Sequence, residues 1–383
     1  MKPRIVLMAN NIDEVGGAQR VIHVVAQGLV ERGYPVDLVG VTPFEPRHEF
    51  ITQPGFRRFT LMDRPWPPPP PTSDLRLARY LLPSVRRRQA ARSRLADQAA
   101  RALARVLQDG PAGIVVTAQL WAMETVARTP HADWPVIGQY HSSFEAAAGG
   151  RDLARSIELY RDVDLVTLLT PSDAAAFQRA GLNATRWLPN PLAFWPDRPV
   201  DPAGPGHDGV VTYLGRFSPE KGVRLLIDAW GTIAATHPTW RLRLIGSGPD
   251  ETALRAQAAA IEAPIEFLPP TTDAQAALSD ASVVVLPSLT EGLPLVMAEA
   301  MALGLPVLAT DCSAGVRLLS EDGKTARIVP RGSAGALAGA LGELMERGDE
   351  RRRLGALARA SVEKYRLGPV LDLWETMLAD VLR

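Results

Sequence analysis

The feature that most constrains this 383-residue chain is an alternation: short aliphatic runs bounded by turn residues, each followed by a longer stretch with helical spacing. "RIVLMAN" (4–10), "VDLVGV" (36–41), "GIVVTA" (113–118), "PVIGQYH" (135–141) and "DLVTLLT" (164–170) carry the pattern through the first half. "GVVTYLG" (209–215), "RLRLIGSG" (241–248), "IEFLP" (265–269), "SVVVLPS" (282–288), "PVLATD" (306–311) and "ARIVP" (326–330) carry it through the second. Helical patterns intervene, among them 17–32, 221–236, 250–260, 273–280 and 294–303. A parallel crossover needs a dozen or more residues and a helix supplies them, so strands alternating with helices predict parallel sheets covered on both faces. Eleven strands overfill one such sheet. The pattern predicts an α/β protein of two Rossmann-like domains with a cleft between them, and the chain is long enough to bury two cores.

The seam falls in "LPNPLAFWPDRPVDPAGPGHDG" (188–209), whose six prolines and three glycines read as a linker rather than a packed element. The expected units are 1–190, 191–365 and a C-terminal helix over 366–383. In that helix Val370, Leu373, Trp374, Met377 and Leu378 follow 3- and 4-residue spacing. The helix must bury this face on its own domain or on the first one, and the first is the expectation. "RPWPPPPPTSD" (64–74) reads as a surface loop with polyproline II character.

Composition removes several classes. The lone Cys312 allows no internal disulfide and no zinc motif, which fits a reducing compartment. The start lacks a secretory core, and no run approaches the roughly 18 to 20 apolar residues of a spanning helix. A cytoplasmic protein, at most peripheral at a membrane face, is expected. Residues 1–190 hold 23 Lys/Arg against 18 Asp/Glu and residues 191–383 hold 19 against 24, a modest polarity that calls for no nucleic acid.

Chemistry concentrates where strands end. In "PSLTEGLPLVMAEAMALGLPVLATD" (287–311) a strand stops at Leu286 and a loop carries Glu291. Pro294 suits the first position of a helix that Gly304 stops. Glu299 then lies in its second turn, and both carboxylates can border one pocket at the carboxyl edge of the sheet, where open α/β sheets bind ligands. The free N–H groups of Leu293, Leu295 and Val296 would attract phosphate there. "LGRFSPEKGV" (214–223) brings Arg216 and Lys221 to the same edge, and Lys221 is one of only four lysines. In "LRLIGSGPD", Gly246 and Gly248 let backbone approach a ligand closely, although Glu251 stands where a dinucleotide fingerprint needs its third glycine. A diphosphate with sugars at both ends satisfies all three loops: cations and helix dipole for the phosphates, carboxylates for the hydroxyls.

"GRFSPEKGV", "LIGSGPD" and "EGLPLVMAEAMALGLPVLATD" closely resemble the nucleotide-sugar site of the family 4 retaining glycosyltransferases, which have the GT-B fold. Their Glu–seven residues–Glu hallmark is matched by Glu291 and Glu299. "NNIDEVGGAQRV" (10–21) resembles that family's glycine loop, with Gly16 and Gly17 near the donor diphosphate. "GQYHSSF" (138–144) resembles the strand end bearing its active-site histidine, here His141. The resemblance implies that Arg216 and Lys221 bind the pyrophosphate and stabilise the leaving nucleoside diphosphate. It implies that Glu299 holds the ribose hydroxyls, that Glu291 holds the sugar hydroxyls, and that His141 sits by the sugar. One departure stands out: after Leu268, in the loop that reads the base, this chain has Pro269-Pro270 where relatives commonly have glycine.

The implied reaction is retaining transfer of a sugar from a nucleoside-diphosphate donor, UDP-sugar first and GDP-sugar next. No Asp-x-Asp stands in the three donor loops (the chain's Asp162-Val163-Asp164 lies before a first-half strand), and no cofactor or metal is expected; the cations take the metal's part. The acceptor, a glycan, lipid-linked or small-molecule hydroxyl such as one in cell-surface polysaccharide synthesis, should meet the first domain. There 74–108 holds nine arginines and two acids. That segment reads as a helical pair with a solvated basic face, and its stretch 76–105 is also the candidate contact for anionic lipid. A dehydrogenase would need an intact Gly-x-Gly-x-x-Gly after the first strand, which is missing. A GT-B-fold nucleotide-sugar epimerase and a non-catalytic sugar-nucleotide binder stay open, and turnover separates them.

Overall fold

The structure is a computed structural model that describes residues 2–65, 83–131, 134–204, 209–261 and 263–383. The first sheet contains β1 (Arg4–Ala9), β2 (Val36–Gly40), β3 (Arg57–Thr60), β4 (Gly113–Thr117), β5 (Val136–Tyr140), β6 (Leu165–Leu168) and β7 (Thr185–Trp187), in the order β3-β2-β1-β4-β5-β6-β7. The second contains β8 (Val210–Leu214), β9 (Arg241–Ile245), β10 (Ile265–Leu268), β11 (Val283–Leu286), β12 (Val307–Thr310) and β13 (Arg327–Val329), in the order β10-β9-β8-β11-β12-β13. Every pairing is parallel. Both orders reverse direction beside the first strand of the sheet, at β1/β4 and at β8/β11, which is where such sheets open a ligand crevice.

All eleven aliphatic runs are strands. The two strands that the sequence did not announce, β3 (RRFT) and β7 (TRW), are the edges of the first sheet. Neither carries an aliphatic run, unlike β10 and β13, the edges of the second sheet, and no residue of β3 or β7 is fully buried. Arg57 on β3 reaches Asp37 of the neighbouring strand instead.

Over its described residues the 188–209 seam is irregular but not loose. Leu188 to Leu192 are buried, Val200 N–H donates to the Leu303 carbonyl, and Trp195 lies beneath Arg359 and Arg366. Prolines supply few donors of their own, so the segment is held by side chains and by the helices it crosses. The Leu192 N–H also donates to the Tyr365 carbonyl at 2.7 Å. The chain's two passages between the domains are therefore hydrogen-bonded to each other.

After the second passage the helix Leu367–Val381 returns to the first domain and packs on the helix Gly17–Glu31. Val370, Leu371, Trp374, Met377 and Leu378 join one core with Ile5, Leu7, Val25 and Leu29. The buried stripe differs by one residue from the spacing read in the sequence: Leu371 is buried and Leu373 is 38 % exposed. The cause lies on the partner helix, where the bare backbone of Gly28 makes a seat that Leu371 fills. Lys2 and Arg32 pin Glu375, and Arg186 pins Asp380, on the polar side.

The tract 66–74 of the proline-rich segment and residues 76–82 of the basic segment lie outside the described residues. The described remainder of the basic segment is one helix, Pro83–Gln108, with Arg86, Arg87, Arg88, Arg94, Arg101 and Arg105 exposed.

Candidate active site

β8 delivers the chain to Gly215 and Arg216, and a single turn of 3-10 helix, Pro219–Lys221, follows. Gly222 closes it at φ 65, a left-handed conformation that favours glycine. A Cβ there would fall far inside van der Waals contact of the Pro287 carbonyl oxygen. The Leu289 N–H donates to the Glu220 carbonyl at 2.8 Å. The lysine turn is thus stitched backbone-to-backbone to the loop after β11, and Lys221 Nζ donates to Glu291 Oε1 at 2.7 Å. Ser288 Oγ donates to the same oxygen at 2.7 Å. Arg216 is exposed, and its guanidinium makes no hydrogen bond or ion pair among the described residues.

Gly246 and Gly248 support this turn from behind. A Cβ on either would run into the carbonyl oxygen of Gly215 or of Phe217, and Phe217 N–H donates to the Ser247 carbonyl at 2.8 Å. What these glycines admit closely is the backbone carrying Arg216. β10, beside β9, ends at Leu268, and Pro269 and Pro270 follow it, both exposed at the same edge of the sheet.

Pro294 is the residue before the helix Leu295–Ala302 rather than its first member, because its ψ of 107° is extended. No side chain caps that helix, so its first amides are free to meet an anion. Gly304, at φ 82, ends it. Leu295 and Val296 are half-buried, and Glu299 is only 1 % exposed.

The cation facing Glu299 comes from the other domain. Arg20 Nη2 forms an ion pair with Glu299 Oε1, while Glu299 Oε2 is sealed from solvent without a partner among the described residues. Burial pushes the Glu299 carboxyl above its ordinary range, and Arg20 opposes this. Arg20 lies in the 10–21 loop but is not among the site residues expected from sequence. The available signal was an arginine three residues after Gly17, one helical turn from two glycines. Gly16 is the residue before that helix, again without a side-chain cap, and a Cβ on Gly17 would reach 3.0 Å from Leu295 Cδ1. Gly17 lets the two domains touch, whereas Gly16 makes room for Gln19 of its own helix.

His141 follows β5. Its carbonyl packs on Gly292, next to Glu291, so its backbone belongs to the interdomain contact. Its ring does not face open solvent. Both nitrogens are buried with no well-formed hydrogen bond among the described residues, beside a cavity of about 10 Å³ lined by Gln139, Thr167, Asn190 and Trp374. Burial lowers its pKa to about 4, against a small opposing pull from Asn190, so the ring is neutral near pH 7.

Two parallel α/β domains whose carboxyl edges meet, with cations, helix N-termini and carboxylates between them, define a GT-B architecture. Family comparison agrees in both halves: "Glycosyltransferase Family 4" matches residues 15–192 and "Glycosyl transferases group 1" matches 208–347. The chain belongs to the family 4-type glycosyltransferases. It is similar to an uncharacterized glycosyltransferase of Haemophilus influenzae, 29 % identical over 62 % of this chain and 68 % of that one. It is also similar to the phosphatidyl-myo-inositol mannosyltransferase of Mycolicibacterium smegmatis, 30 % identical over 66 % and 65 %. The match thus spans about two thirds of each relative. Among solved structures, TarM of S. aureus in complex with fondaparinux, alpha-GlcNAc-glycerol and UDP superposes with a TM-score of 0.78 at 13 % identity, covering 98 % and 99 % of the two chains. HepE of Anabaena in complex with UDP gives 0.73 at 18 % identity, covering 98 % and 100 %. These two likenesses concern the fold. No described helix is long and apolar enough to cross a membrane.

Proposed function

We propose that this glycosyltransferase is a retaining, metal-independent enzyme that moves a hexosyl group from a nucleoside-diphosphate sugar to an acceptor hydroxyl in the interdomain cleft. The observation that carries the reading is the stitched pair of loops, with Lys221 held on Glu291 and Arg216 left free at the same sheet edge. When the bond from anomeric carbon to phosphate oxygen breaks, negative charge collects on the departing diphosphate. Fixed cations and uncapped helix amides stabilise that charge more in the transition state than in the ground state. Arg216, Lys221 and the Leu295–Ala302 helix would hold the diphosphate, Glu299 the ribose and Glu291 the sugar hydroxyls. Gly16 and Gly17 would lie along the diphosphate from the first domain, and Leu268, Pro269 and Pro270 would border the base. His141, neutral, would donate or accept one hydrogen bond at the sugar after a ring movement. The leaving phosphate would serve as base for front-face attack, with Glu291 engaged by Lys221 and Ser288.

UDP-sugar is the favoured donor, supported by the UDP complexes of TarM and HepE, which share the fold. The acceptor would lie on the first domain, a glycan, a lipid-linked glycan or a small aglycone. The test is thermal shift and donor hydrolysis with UDP-, GDP-, ADP- and dTDP-sugars, with and without EDTA. Stabilisation and slow hydrolysis by one donor, unchanged by EDTA, is the expected result. Stabilisation without hydrolysis or transfer would favour a non-catalytic binder, and silence across the set would overturn the reading.

A further inference from the structure

Glu291 takes Lys221 and Ser288, both from its own domain, whereas Glu299 takes its cation across the cleft. The Glu299 carboxylate is only half used: Oε1 meets Arg20, and Oε2 is buried with no hydrogen-bond partner among the described residues. A buried acceptor without a donor costs free energy, and an ionised one costs more. At the interdomain contact such an oxygen keeps an acceptor position open for a donor. The approach of Arg20 is fixed by its helix. Gly17, one turn before it, packs on Leu295, one turn before Glu299, so the ion pair and the glycine contact belong to one contact between the two domains.

We propose that Arg20 is a positioning residue for ribose recognition: it arrives with domain closure, holds Glu299 through Oε1, and leaves Oε2 to accept from a ribose hydroxyl of the nucleotide. The inference rests on the glycosyltransferase reading above and adds a first-domain residue to a pocket otherwise built from the second. It also gives closure a chemical consequence. Without Arg20 in place Glu299 lies buried without a cation, so the nucleoside is read well only by the closed enzyme.

The experiment is calorimetric titration of the full chain with UDP and with 2′,3′-dideoxy-UDP, and with the corresponding GDP pair. The wild type should prefer the intact ribose by about tenfold or more, the worth of a hydrogen bond to a charged group. Arg20→Gln should cut that preference to within about threefold while leaving the dideoxy nucleotide's affinity nearly unchanged, and Arg20→Lys should restore most of it. In a Glu299→Gln background, Arg20→Gln should remove no further preference. Equal loss for both nucleotides would mean that Arg20 binds the diphosphate, and an undiminished preference would mean that it has no part in the site; either overturns the inference alone. Absence of preference in the wild type does the same. If the wild type binds none of the four nucleotides, the functional reading falls with it.

Discussion

Lys221 and Glu291 lie 70 residues apart in sequence and meet at 2.7 Å. Their meeting is imposed by backbone: Gly222 rests on the Pro287 carbonyl, and Leu289 donates to Glu220. A lysine held this way keeps its position whether or not an anion is present. Arg216, exposed and unpaired among the described residues, is the adaptable member of the pair of cations.

This difference separates the two substitutions. Arg216→Ala and Lys221→Ala should each raise the barrier to transfer by about 2 to 4 kcal/mol, the scale of losing one donor to a developing oxyanion. Only Lys221→Ala should also lower the melting temperature, because it strips Glu291 of its cation. Transfer rates and melting curves on both variants check this, and near-normal turnover in either defeats the assigned role.

Gly222→Ala should cost stability twice over. The left-handed φ penalises any side chain by about 1 to 2 kcal/mol, and the new Cβ meets the Pro287 carbonyl, which is backbone and cannot rotate away. Gly332 is the control, since it has φ 77 and open space where its Cβ would be. Urea unfolding of Gly222→Ala and Gly332→Ala should show the first destabilised by at least 1 kcal/mol more than the second (roughly, for a backbone clash). Only the first should lose thermal stabilisation by the nucleotide sugar.

How much of this was legible in the chain depends on what each residue needed to be. Runs such as Ile5 to Met8 and Val283 to Leu286 are buried on both faces and had to be aliphatic, so their strands were readable. β3 and β7 have no fully buried residue, are built from polar and aromatic residues (RRFT and TRW), and were silent. The loops of Arg216, Lys221, Glu291 and Glu299 could be placed because each leaves a readable strand. Arg20 was not chosen because it sits inside an amphipathic helix, where an arginine is ordinary, and its meaning comes only from the domain opposite. The burial of the His141 ring was equally hidden, since it depends on Asn190 and on Trp374 of the returning helix.

The helix Pro83–Gln108 exposes Arg86, Arg87 and Arg88 in succession. If this face meets a membrane, binding should require anionic lipid and fall with salt, at about 1 kcal/mol per arginine near the surface. Flotation with phosphatidylglycerol-containing vesicles against pure phosphatidylcholine, at low and high salt, checks this. The triple substitution of Arg86, Arg87 and Arg88 by Glu should abolish it while leaving donor hydrolysis intact. No binding at low salt ends the idea.

The last prediction concerns pH and lies away from the cleft. Asp37, on β2, is almost fully buried, and Arg4 of β1 donates to it from Nε at 2.8 Å, with Arg57 of β3 donating at 2.6 Å. Burial pushes its carboxyl up, but hydrogen bonds from Arg57 and Arg4 outweigh this and hold it below its ordinary value. A carboxyl whose pKa is lower folded than unfolded binds fewer protons in the native state. Its contribution is therefore fully present above the ordinary carboxylate range and is lost as pH falls through the folded value. Wild-type stability from urea unfolding should fall as pH drops below about 4, the unfolded aspartate value. Asp37→Asn should show a shallower fall over that window. At neutral pH, Asp37→Ala should cost about 3 to 5 kcal/mol, because it leaves the buried Arg4 without its carboxylate. Equal acid slopes in wild type and Asp37→Asn would show that other carboxylates carry the pH dependence and that the Arg4–Asp37–Arg57 ladder does not.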